Sequence, residues 1–279
     1  MRIVQDKSYI SDFVILQDNT WLERQRIAGR VVAGALQLLE NAVKEKTTMT
    51  MLELNNMAGE YIERHGCQQT FRGYKGFPYG VCISINKVLV HGIPSDYRLR
   101  EGDKVSFDLG ATYNGVIADS AITCFYGSVK KEYTDLSEDT KQSLYNGIKS
   151  IKIGKRLGCV GDSIFKTLKD KYDVITKYGG HGLSRTVDGI GIPHAQPFVA
   201  NRSSPNDGIR VCAGLTIAIE PQATLKSNNF FTKTADDGWS VITNEVGVHW
   251  EHSLYIHSDH IEIMSHREGE GIERDIYFQ

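Results

Sequence analysis

The sequence predicts one α+β domain made of two halves, in each of which helices are followed by strands. Three observations support this prediction. Apolar residues recur at helical spacing near the start of the chain and again near its middle. Stretches rich in β-branched residues follow each helical region. The sequence contains no Pro- or Ser-rich linker, and only 6 of its 279 residues are proline, so the two halves are expected to share one domain.

Two helices are predicted in each half. Thr20 suits an N-cap, and residues 21–45 form a long amphipathic helix with apolar positions at Ile27, Val31, Val32, Leu36, Leu39 and Val43. A second helix is expected over residues 51–65, with an inward face of Leu52, Leu54, Met57 and Tyr61. The second half repeats the arrangement with helices over residues 133–150 and 160–172.

The strands lie between and after these helices. Residues 71–80 are rich in glycine and aromatic residues and are predicted to form a loop, and residues 81–94 favour strands interrupted at Asn86. Residues 104–126 are typical of a hairpin that turns at Asn114-Gly115. Strands return from Leu215 onward. The expected organisation is an N-terminal extension over residues 1–19, a catalytic domain over 20–265 and a polar, extended tail over 266–279.

Composition excludes several classes of protein. Lys and Arg number 32 and Asp and Glu 34, giving a net charge of −2, so no nucleic-acid specificity is expected. The apolar stretch near the start, residues 31–36, is far shorter than the ~20 residues of a membrane span. Five cysteines without a C-x-x-C pair indicate reduced thiols and no zinc finger. We expect a cytoplasmic protein.

The predicted hairpin places two carboxylates on one face. Tyr113 and Val116 flank a two-residue turn, so Asp108 should lie opposite Ala121. Asp119 is two residues from Ala121 and therefore diagonal to Asp108, at a separation of roughly 7–8 Å. Two such carboxylates repel each other unless a proton or cation lies between them. On these two residues alone, a solvated hairpin face remains an open alternative.

Three further residues strengthen the case for a metal site. His181 lies in the glycine-rich stretch YGGHG, where backbone can approach closely. Glu220 ends the apolar strand LTIAIE, and Glu251 lies within VHWEHSLYI. Isolated acids are costly in buried strands. Four carboxylates and one histidine suggest a shared cation cluster, and the four negative charges balance two divalent ions, which indicates a dinuclear site rich in oxygen ligands.

Five sequence blocks carry a resemblance to a known family. VCISINKVLVHGIP, EGDKVSFDLGATYNGVIADSA, GGHGLSR, TIAIEPQ and WEHSLYI resemble, in order and spacing, the blocks of type I methionine aminopeptidases. The resemblance extends from about residue 20 to residue 262. It implies the pita-bread fold, in which a pseudo-twofold antiparallel β-sheet is flanked by helices and holds a metal pair.

The resemblance also implies roles for individual residues. The metal ligands would be Asp108, Asp119, His181, Glu220 and Glu251, with Asp119 and Glu251 bridging the ions. Glu220 would also transfer protons. His91 and His194 would contact the substrate and stabilise the developing negative charge. The methionine pocket would be lined by Tyr74, Phe77, Cys82 and Trp239.

The activity implied is removal of the initiator methionine by a metal-activated water. The cofactors would be two divalent ions, with cobalt, manganese, iron and zinc all compatible with the ligands. The substrates would be the N-termini of nascent polypeptides, including those at the ribosome, and the enzyme would act as a monomer away from membranes. The spacing between His181 and His194 is longer than in the family. Gly189 and Gly191 predict a flexible loop there.

Two other functions remain as alternatives. A prolidase or Pro-aminopeptidase would share the fold, but the WEHS block resembles the methionine-specific enzymes better. A non-catalytic relative that binds protein or RNA would be expected to have lost ligands, whereas all five are present here. Cleavage of Met-Ala-Ser in preference to Ala-Pro peptides would exclude a prolidase or Pro-aminopeptidase. Any metal-dependent cleavage would exclude a non-catalytic relative.

Overall fold

The computed structural model describes residues 2–5, 13–185 and 191–278. The helices in this part of the chain are α1 (Asn19–Lys44), α2 (Met51–Arg64), α3 (Lys131–Ser150) and α4 (Cys159–Leu168). The strands are β1 (Arg2–Gln5), β2 (Phe13–Leu16), β3 (Gln68–Gln69), β4 (Val81–Ile85), β5 (Val88–Val90), β6 (Lys104–Tyr113), β7 (Val116–Phe125), β8 (Tyr172–Val174), β9 (Gly180–Arg185), β10 (Gly191–Val199), β11 (Thr216–Ile219), β12 (Gln222–Leu225), β13 (Thr232–Thr234), β14 (Val241–Thr243), β15 (Gly247–His249), β16 (His252–Ile256), β17 (His260–Ile263) and β18 (Asp275–Tyr277).

The helices differ from the prediction in the N-cap of α1, the buried face of α2 and the end of α4. The N-cap of α1 is Asp18 and not Thr20, because the Asp18 carboxylate accepts a hydrogen bond from the Trp21 amide at 3.0 Å. Of the four residues predicted to face inward on α2, Leu54 is buried, whereas Leu52, Met57 and Tyr61 are half-buried. The other buried residues of α2 are Met51, Asn55, Ala58, Gly59 and Ile62. Helix α4 ends at Leu168, and the residues predicted to continue it lead into β8.

The strands of the first half follow the predicted pattern. The β4 and β5 strands are separated at Asn86, whose φ of 51° falls in the left-handed region. The β6 and β7 strands pair along their whole length, and β4 and β3 flank β6 on its other side. The loop predicted over residues 71–80 contains one short 3₁₀ turn, Tyr74–Gly76.

The second half holds a six-stranded antiparallel sheet in the order β10-β9-β11-β16-β17-β18. Each half has its own apolar core: α1 and α2 pack with the β6–β7 region, and α3 and α4 pack with β11, β16 and β17. Trp250 contacts both cores. The predicted α+β organisation with two helix-then-strand halves is therefore observed.

Residues 266–279 are predicted to be a polar, extended tail, and the described part of this segment, residues 266–278, packs against the domain. Its strand β18 pairs with β17. Arg267 is buried, forms an ion pair with Glu270 at 2.8 Å and donates to the Ser120 hydroxyl at 3.3 Å. The Ser120 hydroxyl in turn donates to the Glu251 carbonyl oxygen. We call these contacts of Arg267, Glu270, Ser120 and Glu251 the Arg267 anchor. The anchor connects the C-terminal segment to β7 in the first half and, through Ser120, to the residue that precedes β16 in the second half.

Two expectations from composition can be compared with the coordinates. Each of the five cysteines is unpaired, as expected for reduced thiols. Among helices in the described ranges, none has both the length and the apolar content needed to cross a membrane.

Candidate metal centre and substrate cavity

The β6–β7 hairpin has the register predicted from its turn. Asn114 and Gly115 have φ values of 46° and 78°, as a two-residue turn of type I′ requires. Tyr113 consequently pairs with Val116, and Asp108 pairs with Ala121. Both Asp108 and Asp119 are buried, with 9% and 2% of their surfaces exposed. The alternative of a solvated hairpin face is therefore wrong.

The second half contributes the remaining three side chains through adjacent strands. His181 lies on β9, Glu220 follows β11 directly, and Glu251 immediately precedes β16. These strands are neighbours, because β11 pairs with both β9 and β16. The predicted close approach near His181 is present: a Cβ added to Gly182 would lie 1.9 Å from the Gln196 carbonyl oxygen.

Backbone hydrogen bonds join the two halves at the site. The Glu251 amide donates to the Ala121 carbonyl oxygen at 3.0 Å. The Asp119 amide donates to the Ser253 hydroxyl, which donates to the Asp119 carbonyl oxygen, at 2.8 and 2.7 Å. As a result the strand carrying Asp119 lies directly beside the one carrying Glu251.

The five predicted side chains all line one cavity of about 540 Å³. Donor atoms of Asp119, His181 and Glu251 lie within 4.8 Å of one another. Nε2 of His181 is 3.6 Å from Oε1 of Glu220. We call this set the ligand cluster; its members are Asp108, Asp119, His181, Glu220 and Glu251.

The charge state of the ligand cluster fits a divalent metal pair. Burial raises the pKa of each of its four carboxyl groups, and neighbouring carboxylates raise the pKa of Asp108, Glu220 and Glu251 further. Buried oxygens of Asp108, Asp119 and Glu251 have no hydrogen-bond partner. Burial lowers the pKa of His181 to about 3, so its imidazole is neutral and able to bind a metal. Cations at this position would compensate the charges and occupy the unpaired oxygens.

The two predicted substrate histidines lie beside the ligand cluster. His91 follows β5 with a φ of 57°, an uncommon conformation for a residue other than glycine. Its ring lies edge-on to that of Tyr178, at 6.0 Å between centroids, and burial lowers its pKa. A non-glycine residue in a strained conformation at a cavity is typical of a functional position.

His194 reaches the cavity despite the lengthened spacing. The described parts of the region predicted as a flexible loop are strand, because β9 extends to Arg185 and β10 begins at Gly191. Gly189 lies outside the described residues. The β9–β10 register shifts on both sides of Ala195, and the His194 ring lies 4.5 Å from that of His181. Its Nδ1 is 3.3 Å from the Tyr74 hydroxyl.

We predict that His194→Ala lowers kcat for a methionyl peptide by about tenfold or more, equivalent to ~1.4 kcal/mol. The reason is that the ring is close enough to the ligand cluster to donate to a substrate carbonyl. Metal content should remain unchanged, because His194 is not a member of that cluster. Steady-state kinetics and metal analysis test this together, with His65→Ala as an exposed control; full activity in His194→Ala would contradict the assignment.

The predicted pocket residues also line the cavity. Phe77 and Trp239 meet edge to face, with centroids 5.2 Å apart. Cys82 is buried on β4 and pairs with Asp108 in register. Tyr74 contributes its ring next to His194. Aromatic edges and a thiol beside a metal site suit an unbranched, polarisable side chain.

Several lining residues escaped the sequence reasoning. They are Phe71, Lys75, Val90, Lys177, Tyr178, Gly179, Ala195, Gln196, Phe198, Gln222 and His249. His249 could have been found, because it is two residues before Glu251 and alternation places such residues on the same side of an extended segment. Val90, Ala195, Gln196, Phe198 and Gln222 lie on the strands β5, β10 and β12, and the rest lie outside the strands, where no periodicity indicates which side chains turn inward.

The fold and the buried ligand cluster define a metal-dependent hydrolase of the pita-bread class. The chain belongs to metallopeptidase family M24, whose family model matches residues 23–258. A methionine aminopeptidase of Mycoplasma capricolum is 35% identical over 260 residues, covering 91% of this chain and 99% of the relative. One from Aquifex aeolicus is 36% identical over 247 residues, covering 84% and 92%.

Solved structures agree with this classification. The methionine aminopeptidase of Rickettsia prowazekii matches with a TM-score of 0.83 at 28% identity, covering 91% of this chain and all of that one, 100%. A prolidase from Pyrococcus furiosus matches 91% of this chain and 66% of its own with a TM-score of 0.68 at 19% identity, which shows a shared fold alone. The resemblance to methionine aminopeptidases and the predicted pita-bread fold are thereby confirmed.

Proposed function

We propose that this metallopeptidase removes the N-terminal methionine from peptides and proteins, using two divalent ions held by the ligand cluster. The observation that carries the proposal is the junction of three buried carboxylates and the largely buried carboxylate of Glu220 with an aromatic-lined cavity. The methionine aminopeptidases that match nearly the whole chain support the choice of substrate.

The ligand cluster would divide between the ions as the sequence resemblance implies. Asp119 and Glu251 would bridge, Asp108 would complete one ion, and His181 and Glu220 would complete the other. Mixed carboxylate and imidazole ligation accepts cobalt, manganese, iron or zinc. When bound, such ions polarise the scissile carbonyl and lower the pKa of the attacking water.

The protein side chains would supply proton transfer and orientation. Glu220 would carry a proton from the attacking water to the leaving amine, since its carboxyl group is buried beside the cavity with a raised pKa. His91 and His194 would donate hydrogen bonds to the carbonyl oxygen as negative charge develops there. The substrate's free α-amine would lie next to the carboxylates, which limits cleavage to the first residue.

The methionine side chain would enter the aromatic pocket. Phe77 and Trp239 would contact the thioether, with Cys82 and Tyr74 on neighbouring walls. Soft contacts between sulfur and aromatic rings favour methionine over a charged side chain of similar length. The substrates we propose are N-termini of nascent polypeptides, met in the cytoplasm and at the ribosome, with the enzyme acting as a monomer.

The test is metal stripping followed by reconstitution with single metals. Chelated protein should lose hydrolysis of Met-Ala-Ser, and re-addition of cobalt, manganese, iron or zinc should restore it at up to two ions per chain. Ala-Pro peptides provide the comparison, because a prolidase would prefer them. Preferential cleavage of Ala-Pro, or undiminished hydrolysis after verified metal removal, would refute the proposal.

A further inference from the structure

His249 lies in the cavity although neither the five family blocks nor the proposed ligand cluster includes it. It is the last residue of β15 and only 2% of its surface is exposed. Its Nε2 is 3.5 Å from Oε2 of Glu220 and 3.9 Å from Oε2 of Glu251. The same atom has no hydrogen-bond partner within the described residues. A buried, unpaired ring nitrogen is costly unless another group satisfies it.

Neither carboxylate satisfies this nitrogen directly. Both separations exceed the 2.7–3.2 Å of a normal hydrogen bond. Oε2 of Glu220 already accepts a hydrogen bond from the Gln222 amide at 2.6 Å. Two donors that are each ~2.1 Å from one ion and subtend an angle of about 90–120° at it lie roughly 3.0–3.6 Å apart. The separation between His249 and Glu220 therefore suits two ligands of the same cation better than a hydrogen bond.

Glu220 provides an internal comparison. Its Oε1 faces Nε2 of His181 at 3.6 Å, and its Oε2 faces Nε2 of His249 at 3.5 Å. The two imidazoles thus have equivalent relations to one carboxylate. If the first separation is that of a metal ligand, the second meets the same criterion.

The backbone of His249 is fixed in this position. Its amide donates to the Thr123 hydroxyl at 3.1 Å, and its carbonyl oxygen accepts from that hydroxyl at 2.8 Å. Thr123 belongs to β7, the strand that carries Asp119. Nε2 of His249 is therefore directed by the same framework that places the ligand cluster.

We infer that His249 is a sixth metal ligand, which binds through Nε2 to the ion held by His181 and Glu220. This inference rests on the proposed metal site. A second nitrogen ligand favours zinc, iron or cobalt over magnesium and calcium at that ion. The distinguishing consequence is two metal-bound imidazoles per chain instead of one.

Proton NMR of the cobalt-loaded protein counts these imidazoles. An imidazole bound through Nε2 carries an exchangeable proton on Nδ1, which gives a shifted resonance that disappears in heavy water. We expect two such resonances from the unaltered protein. His249→Gln should leave one and weaken binding of cobalt by about tenfold or more in calorimetry. His65→Gln, which alters an exposed histidine, should leave both resonances and the cobalt affinity unchanged.

The count in the unaltered protein decides the inference even if His249→Gln fails to fold. A single resonance from a protein that binds cobalt and cleaves Met-Ala-Ser would overturn the sixth ligand and leave the proposed function intact. Unchanged resonances and unchanged affinity in a folded His249→Gln protein would overturn it as well. A protein that binds no cobalt at all would overturn both the inference and the proposed metal site.

Discussion

Glu251→Gln should abolish hydrolysis of methionyl peptides and reduce the metal content of the purified protein. A metal ion supplies several kcal/mol of transition-state stabilisation. Displacement of the ion by loss of one of the proposed ligands should therefore lower kcat/KM by about 1,000-fold or more, equivalent to ~4 kcal/mol. Asp108→Asn should behave in the same way. Near-normal turnover with unchanged metal content in either variant would contradict the ligand assignment.

The same substitution should stabilise the protein after metal is removed. Burial raises the pKa of Glu251, and repulsion from the three neighbouring carboxyl groups raises it further. Without cations, replacing one of the four by an uncharged amide removes that repulsion and part of the desolvation cost. We expect the chelated variant to unfold at a higher temperature than the chelated parent. Glu273→Gln, at an exposed position, should change neither metal content nor this temperature.

Trp239→Ala should weaken selection of methionine. We expect Met-Ala peptides to exceed Lys-Ala peptides in kcat/KM by about 100-fold, because a desolvated ammonium in an apolar pocket costs at least ~2.7 kcal/mol. Removing the ring that meets Phe77 edge to face admits water, so the preference should fall about tenfold.

Competition between the two peptides measures this preference directly. Phe231→Ala is a suitable control, since Phe231 is an exposed aromatic residue that does not line the cavity. It should leave the preference unchanged. Equal kcat/KM for methionine and lysine in the unaltered protein would refute the pocket.

The features predicted well from sequence are those governed by local chemistry. The Asn114-Gly115 turn sets the hairpin register, and that register places Asp108 and Asp119 on one face. The positions of His181, Glu220 and Glu251 relative to that face depend on which strands become neighbours. Periodicity does not indicate which strands pair, so these three residues were assigned to the site from the family resemblance.

The features that were missed depend on tertiary packing. The buried face of α2 follows from how this helix meets the strands. The C-terminal segment looked like a solvated tail because Arg267 and Glu270 are charged, yet each is the buried partner of the other. Composition alone cannot distinguish a buried ion pair of opposite charges from two separate, exposed charged residues.

The Arg267 anchor has a consequence for how the enzyme is made. Ser120 and Glu251 are 131 residues apart, and Arg267 is 147 residues beyond Ser120. During synthesis, the β6–β7 hairpin with Asp108 and Asp119 is complete long before Glu251 and strand β16, which contact β7, have been synthesised. Contacts so distant in sequence form late and slowly. All five proposed ligands are therefore present only once the chain has been synthesised as far as Glu251, so a metal held by the whole ligand cluster must bind after that point.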